Sequence, residues 1–373
     1  MEKPTATPHV IREGYDGRSC LVHARAAYIG NGRIVAGAQP LNVAGCDSFS
    51  ELQIAESFDF GATFSPFEKQ EGFTGSFTEG EITFVGCDMT PLYHPATGKV
   101  VFIGSSAGYR TGTFDAQPDC NRTTYSVFDP VSRKLGDLNL LDLPLSPQFC
   151  HVSNGCGQSV CLPDGRILIP VLCRSSDYHG YGCAVLECSF DGTTLTYRNR
   201  GGILSVGPDE PRGIYEPSLI LHGGRYYLTI RSDLAGYVAV SDDGLRFTGL
   251  RRWAWSDGEV LPTYNTQSHW FTLGGELWLV YTRRAGTNDH VFRHRAPLFA
   301  ARVLTDSLTL ERESEIVVVP ERGARLGNFC AANIAPDHAF VMAAEWMQPR
   351  GCEKYGSDNA IWFSDVRYPT AEA

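Results

Sequence analysis

The chain has 373 residues and a formal net charge of −10 at pH 7, and 43% of its residues are hydrophobic. This balance argues against nucleic acid as a partner, because nucleic-acid binding needs a basic face. Acidic ligands remain possible, because a local cluster of arginines can make one cleft positive although the whole protein is negative. No segment is long and apolar enough to cross a membrane as a helix, so we expect no membrane partner.

The composition favours an all-β fold. The 39 glycines, 21 prolines and 11% aromatic residues are typical of many short strands joined by turns. No window shows a sustained apolar period of 3.6 residues, which would mark an amphipathic helix. A chain of this length can still form one domain, because propellers often exceed the usual domain size. We therefore expect a single domain over residues 1–373.

The N-terminal residues 1–18 show no strand or helix pattern, and we expect them to be irregular. They contain no apolar stretch typical of a secretion signal, which predicts a cytoplasmic protein. A chain already cleaved to its mature form would look the same, and such a protein would be secreted or periplasmic. The oligomeric state is not indicated by any pattern in the sequence.

Residues 57–64 read S-x-D-x-G-x-T-F, which resembles the Asp-box on hairpins of sialidase-like β-propellers. Asp59 can accept hydrogen bonds from its own turn, and Gly61 supplies a backbone angle that a Cβ would disfavour. Thr63 and Phe64 are expected to open the next strand, with the ring packed beneath the turn. Similar Asp-Gly turns occur at residues 189–192 and 241–247. The motif indicates architecture and carries no chemistry.

Short apolar strands, each preceded by a turn, recur along the chain at a spacing of roughly 50 to 70 residues, as propeller blades would. The six copies are residues 33–37, 100–104, 166–170, 225–230, 276–281 and 339–343. A strand over residues 361–366 could close the ring beside an N-terminal strand. The pattern predicts a β-propeller of four-stranded antiparallel blades, and a seventh blade could be shared between the two termini.

The twelve cysteines are expected to be reduced and buried. Several lie within apolar strands, where a free thiol behaves as a small hydrophobic group. None forms a C-x-x-C pair, which disfavours zinc. Disulfides are the alternative.

Polar residues flank the repeated strands, and a propeller brings such positions together at its central channel. We expect one pocket there. The flanking residues and runs are 87–99, 155–158, Arg174, 215–218, Arg231, 264–270, Arg283, 289–299 and 323–329.

Four of these runs carry a resemblance to a known group of enzymes. T-P-L-Y-H-P-A-T-G-K-V (90–100), Y-N-T-Q-S-H-W (264–270), R-H-R-A-P-L-F (293–299) and R-G-A-R-L-G-N-F (322–329) resemble the propeller clan of ulvan lyases, rhamnosyl-glucuronate lyases and related α-L-rhamnosidases. The resemblance covers roughly residues 20 to 366. It implies seven blades, with six as the second choice. It also implies a uronate-containing oligosaccharide or polysaccharide as the partner.

The lyase members of this clan imply one set of site residues. By motif position, His94 resembles their catalytic histidine, and Arg174 and Arg231 resemble the arginines that bind the uronate. Elimination needs charge neutralisation of the carboxylate and a base that titrates near neutrality. Gln158 stands where the lyase tyrosine is expected, and no second histidine lies between His94 and position 151. The elimination machinery is therefore incomplete.

The rhamnosidase branch implies another site, at the opposite end of the channel. The segment 20–26 resembles the part of those enzymes that holds their essential histidine, with His23 at that position. We rank an exo-acting hydrolase of α-L-rhamnosyl-1,4-glucuronate ends first, with His23 as first and His94 as second catalytic candidate. A lyase is the alternative. A non-catalytic glycan-binding or sialidase-like propeller is a further one.

The remaining candidate residues are expected to bind substrate. They are Gln158, Arg174, Glu216, Arg231, Tyr264, Gln267, His269 and Arg283. Each also has a structural interpretation: His23 could be a core histidine, and the arginines could pair with carboxylates between blades. No metal-ligand spacing is found, so we expect no cofactor, although the central channel could hold a structural cation. A true sialidase would need an arginine triad, a tyrosine nucleophile with its glutamate and an early Arg-Ile-Pro signature, and that signature is missing.

Overall fold

The computed structural model describes residues 3–45, 47–113, 115–117, 120–177 and 180–369. These residues form six antiparallel sheets, here named blades 1 to 6, and three short 3₁₀ helices. No helix among them is long and apolar enough to cross a membrane. The 3₁₀ helices are Phe292–His294, Arg312–Ser314 and Cys352–Tyr355.

Blades 1 to 3 occupy the first half of the chain. Blade 1 contains β2 (Ser19–Gly30), β3 (Arg33–Asn42), β4 (Gln53–Ser57) and β5 (Glu68–Lys69). Blade 2 contains β6 (Ser76–Glu79), β7 (Ile82–His94), β8 (Lys99–Arg110), β9 (Ala116–Gln117), β10 (Thr124–Asp129), β11 (Lys134–Leu135) and β12 (Asn139–Leu140). Blade 3 contains β13 (Cys150–Ser153), β14 (Val160–Cys161), β15 (Ile167–Arg174), β16 (Gly182–Phe190) and β17 (Leu195–Arg200).

Blades 4 to 6 follow, and the last one includes the N-terminal strand. Blade 4 contains β18 (Tyr215–His222), β19 (Arg225–Arg231), β20 (Gly236–Ser241) and β21 (Thr248–Arg252). Blade 5 contains β22 (His269–Leu273), β23 (Glu276–Tyr281), β24 (Leu298–Leu304), β25 (Thr309–Leu310) and β26 (Ile316–Val319). Blade 6 contains β27 (Phe329–Ala335), β28 (His338–Ala344), β29 (Ile361–Arg367) and β1 (Thr5–Arg12).

The blades form a closed ring. Inner strands of neighbouring blades contact one another in the order β2, β7, β14, β18, β22 and β27, and β27 contacts β2 again. The six repeated strands of the sequence lie in β3, β8, β15, β19, β23 and β28, one in each blade. The described residues therefore form a propeller of six sheets. The expectation of seven blades, which came from the family resemblance, is not met by these residues.

The ring closes through the two ends of the chain. Strand β1 pairs antiparallel with β29, so that Thr5 lies opposite Arg367 and Val10 opposite Trp362. The predicted closing strand at residues 361–366 is confirmed. The expectation that residues 1–18 are irregular is wrong for residues 5–12, because their pairing partner lies at the other end of the chain.

The apolar core lies between the blades, and strand alternation explains how. Successive side chains of a strand point to opposite faces. In β8, Val100 and Phe102 pack with residues of blade 1, whereas Val101 and Ile103 pack with residues of blade 3. Equivalent clusters fill the junctions of blades 3 and 4, 4 and 5, 5 and 6, and 6 and 1. Each middle strand is thus apolar on both faces, as its continuous run of hydrophobic residues indicates.

The Asp-box turn forms as the sequence predicts, apart from its exit. Asp59 Oδ1 accepts hydrogen bonds from Ser57 Oγ at 2.8 Å and from Thr63 N–H at 2.9 Å, and Asp59 Oδ2 accepts from Thr63 Oγ1 at 2.6 Å. Gly61 has a φ of 95°, which confirms the need for glycine there. Phe64 packs on Phe363, with ring centroids 5.6 Å apart. Thr63 and Phe64 do not open a strand, because pairing resumes only at β5.

Asp59→Ala is expected to lower the free energy of unfolding by about 1–3 kcal/mol, because three hydrogen bonds worth roughly 0.5–1.5 kcal/mol each lose their acceptor. Chemical denaturation followed by tryptophan fluorescence measures the change. Asp59→Asn is the matched control, since it keeps one carbonyl acceptor and should lose less. Equal stability of the wild type and Asp59→Ala would show that the turn does not depend on this side chain.

Eleven cysteines lie in the described part of the chain, and all of them are free thiols. Nine of them are buried, in agreement with their prediction as small hydrophobic residues. Cys46 lies outside the described residues.

Candidate functional site

A cavity of about 1190 Å³ lies where the inner strands of all six blades converge. Its wall is strongly charged and contains six arginines against four carboxylates among the described residues. These are Arg212, Arg231, Arg293, Arg295, Arg325 and Arg350, with Asp47, Asp88, Glu216 and Asp233. The predicted convergence of polar residues on one central pocket is confirmed. The excess of guanidinium groups favours an anionic ligand despite the negative charge of the whole protein.

Bulges in the inner strands position several of the polar side chains in this wall. The register shifts in each of β2, β7, β13 and β18 close to the cavity. The residues at these bulges have positive φ angles of 49° to 56°, namely His23, Asp88, His151 and Glu216. A bulge redirects the side chain that it carries, and left-handed residues other than glycine concentrate at functional sites. One polar residue of each of these blades is thereby turned into the cavity.

Asp88 is the carboxylate at the centre of this arrangement. Its Oδ1 atom accepts a hydrogen bond from the Cys156 thiol at 2.9 Å and lies 3.1 Å from His23 Nε2 and 3.7 Å from Arg25 Nη2. No described residue donates a hydrogen bond to Oδ2, and the side chain is 21% exposed to the cavity. Burial by itself would raise the pKa of Asp88, but His23 and Arg25 lower it below its ordinary value. Asp88 is therefore ionised, with one oxygen held by the protein and the other available.

His23 lines the cavity and supports Asp88, although almost none of its surface is exposed. It is 2% exposed, and it packs between the rings of Phe49 and Trp346. Burial lowers the pKa of His23, so the ring is neutral and its Nε2–H donates to Asp88. Its Nδ1 atom lies 3.5 Å from Gln39 Oε1. His23, our first catalytic candidate, therefore belongs to the site. Its position is that of a side chain that orients the Asp88 carboxylate.

Arg231 and Arg295 form a second functional cluster across the cavity. Arg231 Nη1 donates to both oxygens of Glu216 at 2.6 Å, and its Nη2 donates to Asn265 Oδ1 at 2.5 Å. Arg295 Nη2 donates to the carbonyl oxygen of the same Asn265 at 2.5 Å, and Arg295 Nε donates to Thr266 Oγ1 at 3.0 Å. Asn265 therefore holds the two guanidinium groups side by side, and it does so from a left-handed backbone with a φ of 49°.

Arg295 is a buried cation without a carboxylate partner among the described residues. It is 5% exposed. Burial lowers its pKa to about 9, and the neighbouring charges of Arg231 and Arg325 contribute. Buried charges are normally paired, because an isolated charge loses its hydration without compensation. An anionic group bound in the cavity would supply the missing partner.

Tyr215 lies between two arginines at the same side of the cavity. The guanidinium groups of Arg212 and Arg231 each lie 4.7 Å from its ring centre. The Tyr215 hydroxyl donates to Asp233 Oδ1 at 2.5 Å, and Arg212 Nε donates to Asp233 Oδ2 at 2.7 Å. Burial raises the pKa of Tyr215, whereas Arg212 lowers that of Asp233 to about 2. The phenol is therefore a hydrogen-bond donor and a very weak acid that stays protonated at neutral pH.

A buried hydrogen-bond chain lies beneath the cavity and links blades 1, 4 and 5. Gln267 Nε2 donates to Asn328 Oδ1 at 2.8 Å, which leaves Gln267 Oε1 as the acceptor for Arg25 Nη2 at 3.5 Å and His269 Nε2 at 3.1 Å. His269 therefore carries its proton on Nε2, and its Nδ1 accepts from Ser218 Oγ at 2.8 Å. Burial lowers the pKa of His269 well below its ordinary value, so it is neutral. Gln267 and His269 support the site from below.

Gln267 and His269 do not line the cavity, and neither do five other predicted site residues. His94 is 1% exposed in the β7–β8 turn, where its ring nitrogens bond Thr97 Oγ1 and Gly165 O, so the structure does not support it as a catalytic residue. The side chain of Gln158 bonds the backbone of Trp270. Arg174 ends β15, Tyr264 bonds His294, and Arg283 pairs with Glu315. Each of the five forms a structural contact, whereas Glu216 and Arg231 line the cavity as predicted.

Six residues that the cavity brings together were not among the individually predicted site residues, although five of them lie in the polar runs that flank the repeated strands. They are Asp88, Cys156, Tyr215, Asp233, Asn265 and Arg295. A signal for some of them exists, since one polar residue stands near the start of the inner strand of most blades, as in V-H-A, C-D-M, C-H-V and Y-E-P. His/Cys/Asp/Glu clusters that could hold a metal ion are not found among the described residues. The buried guanidinium of Arg25 lies beneath the cavity, close to where we expected a structural cation.

The fold of the described residues is a β-propeller, and comparisons show which solved proteins share it. No family model matches the sequence, and no curated protein matches it. A protein of unknown function from Dyadobacter fermentans has a TM-score of 0.68 and 16% identity, over 98% of this chain and 99% of that chain.

Two named enzymes share the fold as well. The Hadza microbial sialidase Hz136 has a TM-score of 0.65 and 12% identity, over 97% of this chain and 68% of that chain. An intramolecular trans-sialidase of a leech has a TM-score of 0.61 and 10% identity, over 97% of this chain and 70% of that chain. At such identities the similarity is one of fold. The finer resemblance to lyases and rhamnosidases stays a prediction.

Proposed function

We propose that this protein is a glycoside hydrolase that acts on the end of a glycan containing a carboxylate-bearing sugar. The observation that carries the proposal is one cavity that holds two groups: the ionised carboxylate of Asp88, and the buried cation of Arg295, which has no carboxylate partner among the described residues. The Asp88 carboxylate is suited to cleaving a glycosidic bond, and the Arg295 guanidinium is suited to binding the carboxylate of a sugar. The sialidase-like architecture supports a glycan as the ligand.

Two carboxyl groups cleave the glycosidic bond in most glycoside hydrolases. We assign one role to Asp88, whose lowered pKa suits a general base for water or a nucleophile and does not suit a general acid. Glu216 on blade 4 is our candidate for the second carboxyl group, with 18% of its side chain exposed. The neutral ring of His23 orients Asp88 from behind.

Arg295 and Arg231 are proposed to bind the carboxylate of the substrate. Guanidinium groups bind carboxylates through two parallel hydrogen bonds, which fixes the orientation of the sugar as well as its charge. Asn265 holds both guanidinium groups before any ligand arrives, so little ordering is needed on binding. The α-L-rhamnosyl-1,4-glucuronate end is the first substrate that we would test. Sialosides are the second, because they also carry a carboxylate and the architecture is that of sialidases.

Elimination is the alternative reaction, and the position of Tyr215 is the observation in its favour, since a tyrosine in the cavity could move a proton. Its raised pKa and its hydrogen bond to Asp233 argue against it as a base. Gln158, at the position of the lyase tyrosine, does not line the cavity. Hydrolysis therefore remains the first choice.

A panel of rhamnose-capped, glucuronate-capped and sialylated oligosaccharides tests the proposal by product analysis. We expect release of one terminal sugar with uptake of water, and no release by Asp88→Asn. Products with the ultraviolet absorbance of an unsaturated uronate would assign elimination instead. Binding by calorimetry without turnover of any member would indicate a glycan-binding protein and contradict the hydrolase assignment.

A further inference from the structure

The blade 3 loop at residues 154–157 is attached to Asp88 through Cys156 alone. The Cys156 N–H donates to the Asp88 carbonyl oxygen at 3.2 Å, and the Cys156 thiol donates to Asp88 Oδ1 at 2.9 Å. Both residues have left-handed backbones, with φ angles of 66° and 54°. The two bonds join the bulge of blade 2 to blade 3 at the cavity wall.

The Cys156 thiol donates to Asp88, and its sulfur also interacts with the guanidinium group of Arg25. Cys156 is 4% exposed, and burial raises its pKa well above the ordinary value of a cysteine, with the charge of Asp88 adding to the effect. A thiol with a raised pKa is protonated at neutral pH, so it is neither a nucleophile nor a metal ligand there. An ionised carboxylate only accepts hydrogen bonds, so the direction of the bond is fixed.

The surrounding loop leaves the thiol little freedom. Asn154 Nδ2 donates to the carbonyl oxygen of Pro170 in β15, and Ser153 Oγ accepts from the Gly155 N–H at 3.2 Å. A Cβ on Gly157 would lie 2.4 Å from Asn154 Nδ2, so the chain there has room for glycine only. The N-G-C-G sequence is therefore fitted to one placement of the Cys156 sulfur.

We propose that Cys156 is a positioning residue for Asp88: its thiol holds Oδ1, favours the ionised carboxylate and leaves Oδ2 directed at the substrate. This inference rests on the proposed function, in which Asp88 is a reacting group. It deepens that function by adding a neutral donor to the support that His23 and Arg25 give to the same oxygen. A charged donor would also have attracted the substrate carboxylate, whereas a thiol fixes the oxygen without adding charge to the cavity.

Cys156→Ala and Cys156→Ser separate this role from simple packing. Alanine removes the donor, and serine keeps an O–H donor at the same position. We expect the pKa of Asp88 to rise by about one unit in Cys156→Ala, because each hydrogen bond to the charged form lowers a carboxyl pKa. In Cys156→Ser it should stay closer to the wild-type value. Cys161→Ala, which changes a cysteine outside the cavity wall, is the matched control and should change nothing.

The pKa of Asp88 is read directly from the carbon-13 chemical shift of its carboxyl group, assigned by the signal that is lost in Asp88→Asn. An unchanged pKa in Cys156→Ala, with a folded far-ultraviolet circular dichroism spectrum, would overturn the proposal. If Cys156→Ala does not fold, the test uses Cys156→Ser. An Asp88 pKa in Cys156→Ser equal to that of the wild type supports the proposal, and a rise of the Asp88 pKa by one unit or more overturns it.

The acid limb of kcat/KM provides a second readout that a packing role would not move. It should shift to higher pH in Cys156→Ala by the same amount as the carboxyl pKa. If the Asp88 pKa shifts as expected in Cys156→Ala but the protein turns over no glycan, the result supports the role of Cys156 and contradicts the proposed function.

Discussion

Asp88→Asn is expected to lower kcat on the best substrate of the panel by about 10²–10⁴-fold, the usual loss when a general acid or base is removed. The change is nearly isosteric. Asparagine keeps a carbonyl oxygen for Cys156 and His23, so the bulge of blade 2 should keep its shape. The loss therefore reports on the missing charge of Oδ2. Initial rates at saturating substrate, together with the thermal unfolding midpoint, measure the two effects separately.

The control for this substitution is Asp191→Asn, in an exposed turn where the side chain accepts hydrogen bonds from two backbone N–H groups. It should leave both rate and unfolding midpoint unchanged. A kcat within a factor of about ten of wild type for Asp88→Asn would remove Asp88 from the chemistry, given the range normally seen for such groups. Glu216→Gln would then be the next variant to examine.

The pH dependence of the same reaction follows from the groups that contact Asp88. Its pKa is lowered from the ordinary 3.8 by His23 and Arg25, although burial opposes them. A group that must be ionised and has a lowered pKa remains active as the pH falls, until the pH reaches that lowered value. We therefore expect the acid limb of kcat/KM, measured with buffers of constant ionic strength, to lie below pH 3.8. An acid limb near pH 6 would point to a histidine instead.

The parts of the fold that the sequence predicted are those encoded by short local patterns. The Asp-box motif spans only a short turn, and the hydrogen bonds of its Asp59 side chain are all made within residues 57–63. The six repeated strands are visible because each is apolar on both faces, which follows from its place between two neighbouring blades. Strand β1 was missed since its only partner, β29, lies at the opposite end of the chain.

The site was harder to predict, because its residues are selected by strand register and by distant partners. His94 and Asp88 both belong to β7, but only Asp88 stands at the bulge that turns a side chain into the cavity. Arg283 and Arg295 are both conspicuous in the sequence. The first is neutralised by Glu315, and the second has no such partner among the described residues. Composition and spacing do not distinguish these cases, whereas the packing of blade 5 does.

Arg295→Leu is expected to lower kcat/KM for a carboxylate-bearing glycan by about 10–100-fold, because a hydrogen bond to a charged group contributes roughly 1.5–3 kcal/mol. The loss should come mainly from KM, since the carboxylate is bound in the ground state as well as in the transition state. Arg283→Leu is the matched control, because that arginine is paired with Glu315 outside the cavity. It should leave KM unchanged.

The identity of the ligand group is tested by combining Arg295→Leu with a substrate whose carboxylate is methyl-esterified. If Arg295 binds that carboxylate, the wild type should lose affinity for the ester, and Arg295→Leu should treat acid and ester nearly alike. The two proteins and the two substrates form a double-mutant cycle. Its coupling free energy isolates the contact between Arg295 and the carboxylate from the general effects of either change. Equal selectivity for the acid in both proteins, together with a lower unfolding midpoint of the variant, would make Arg295 a structural residue. The buried guanidinium would then serve Asn265 and Thr266 alone, and the case for an acidic substrate would rest on the other arginines of the cavity.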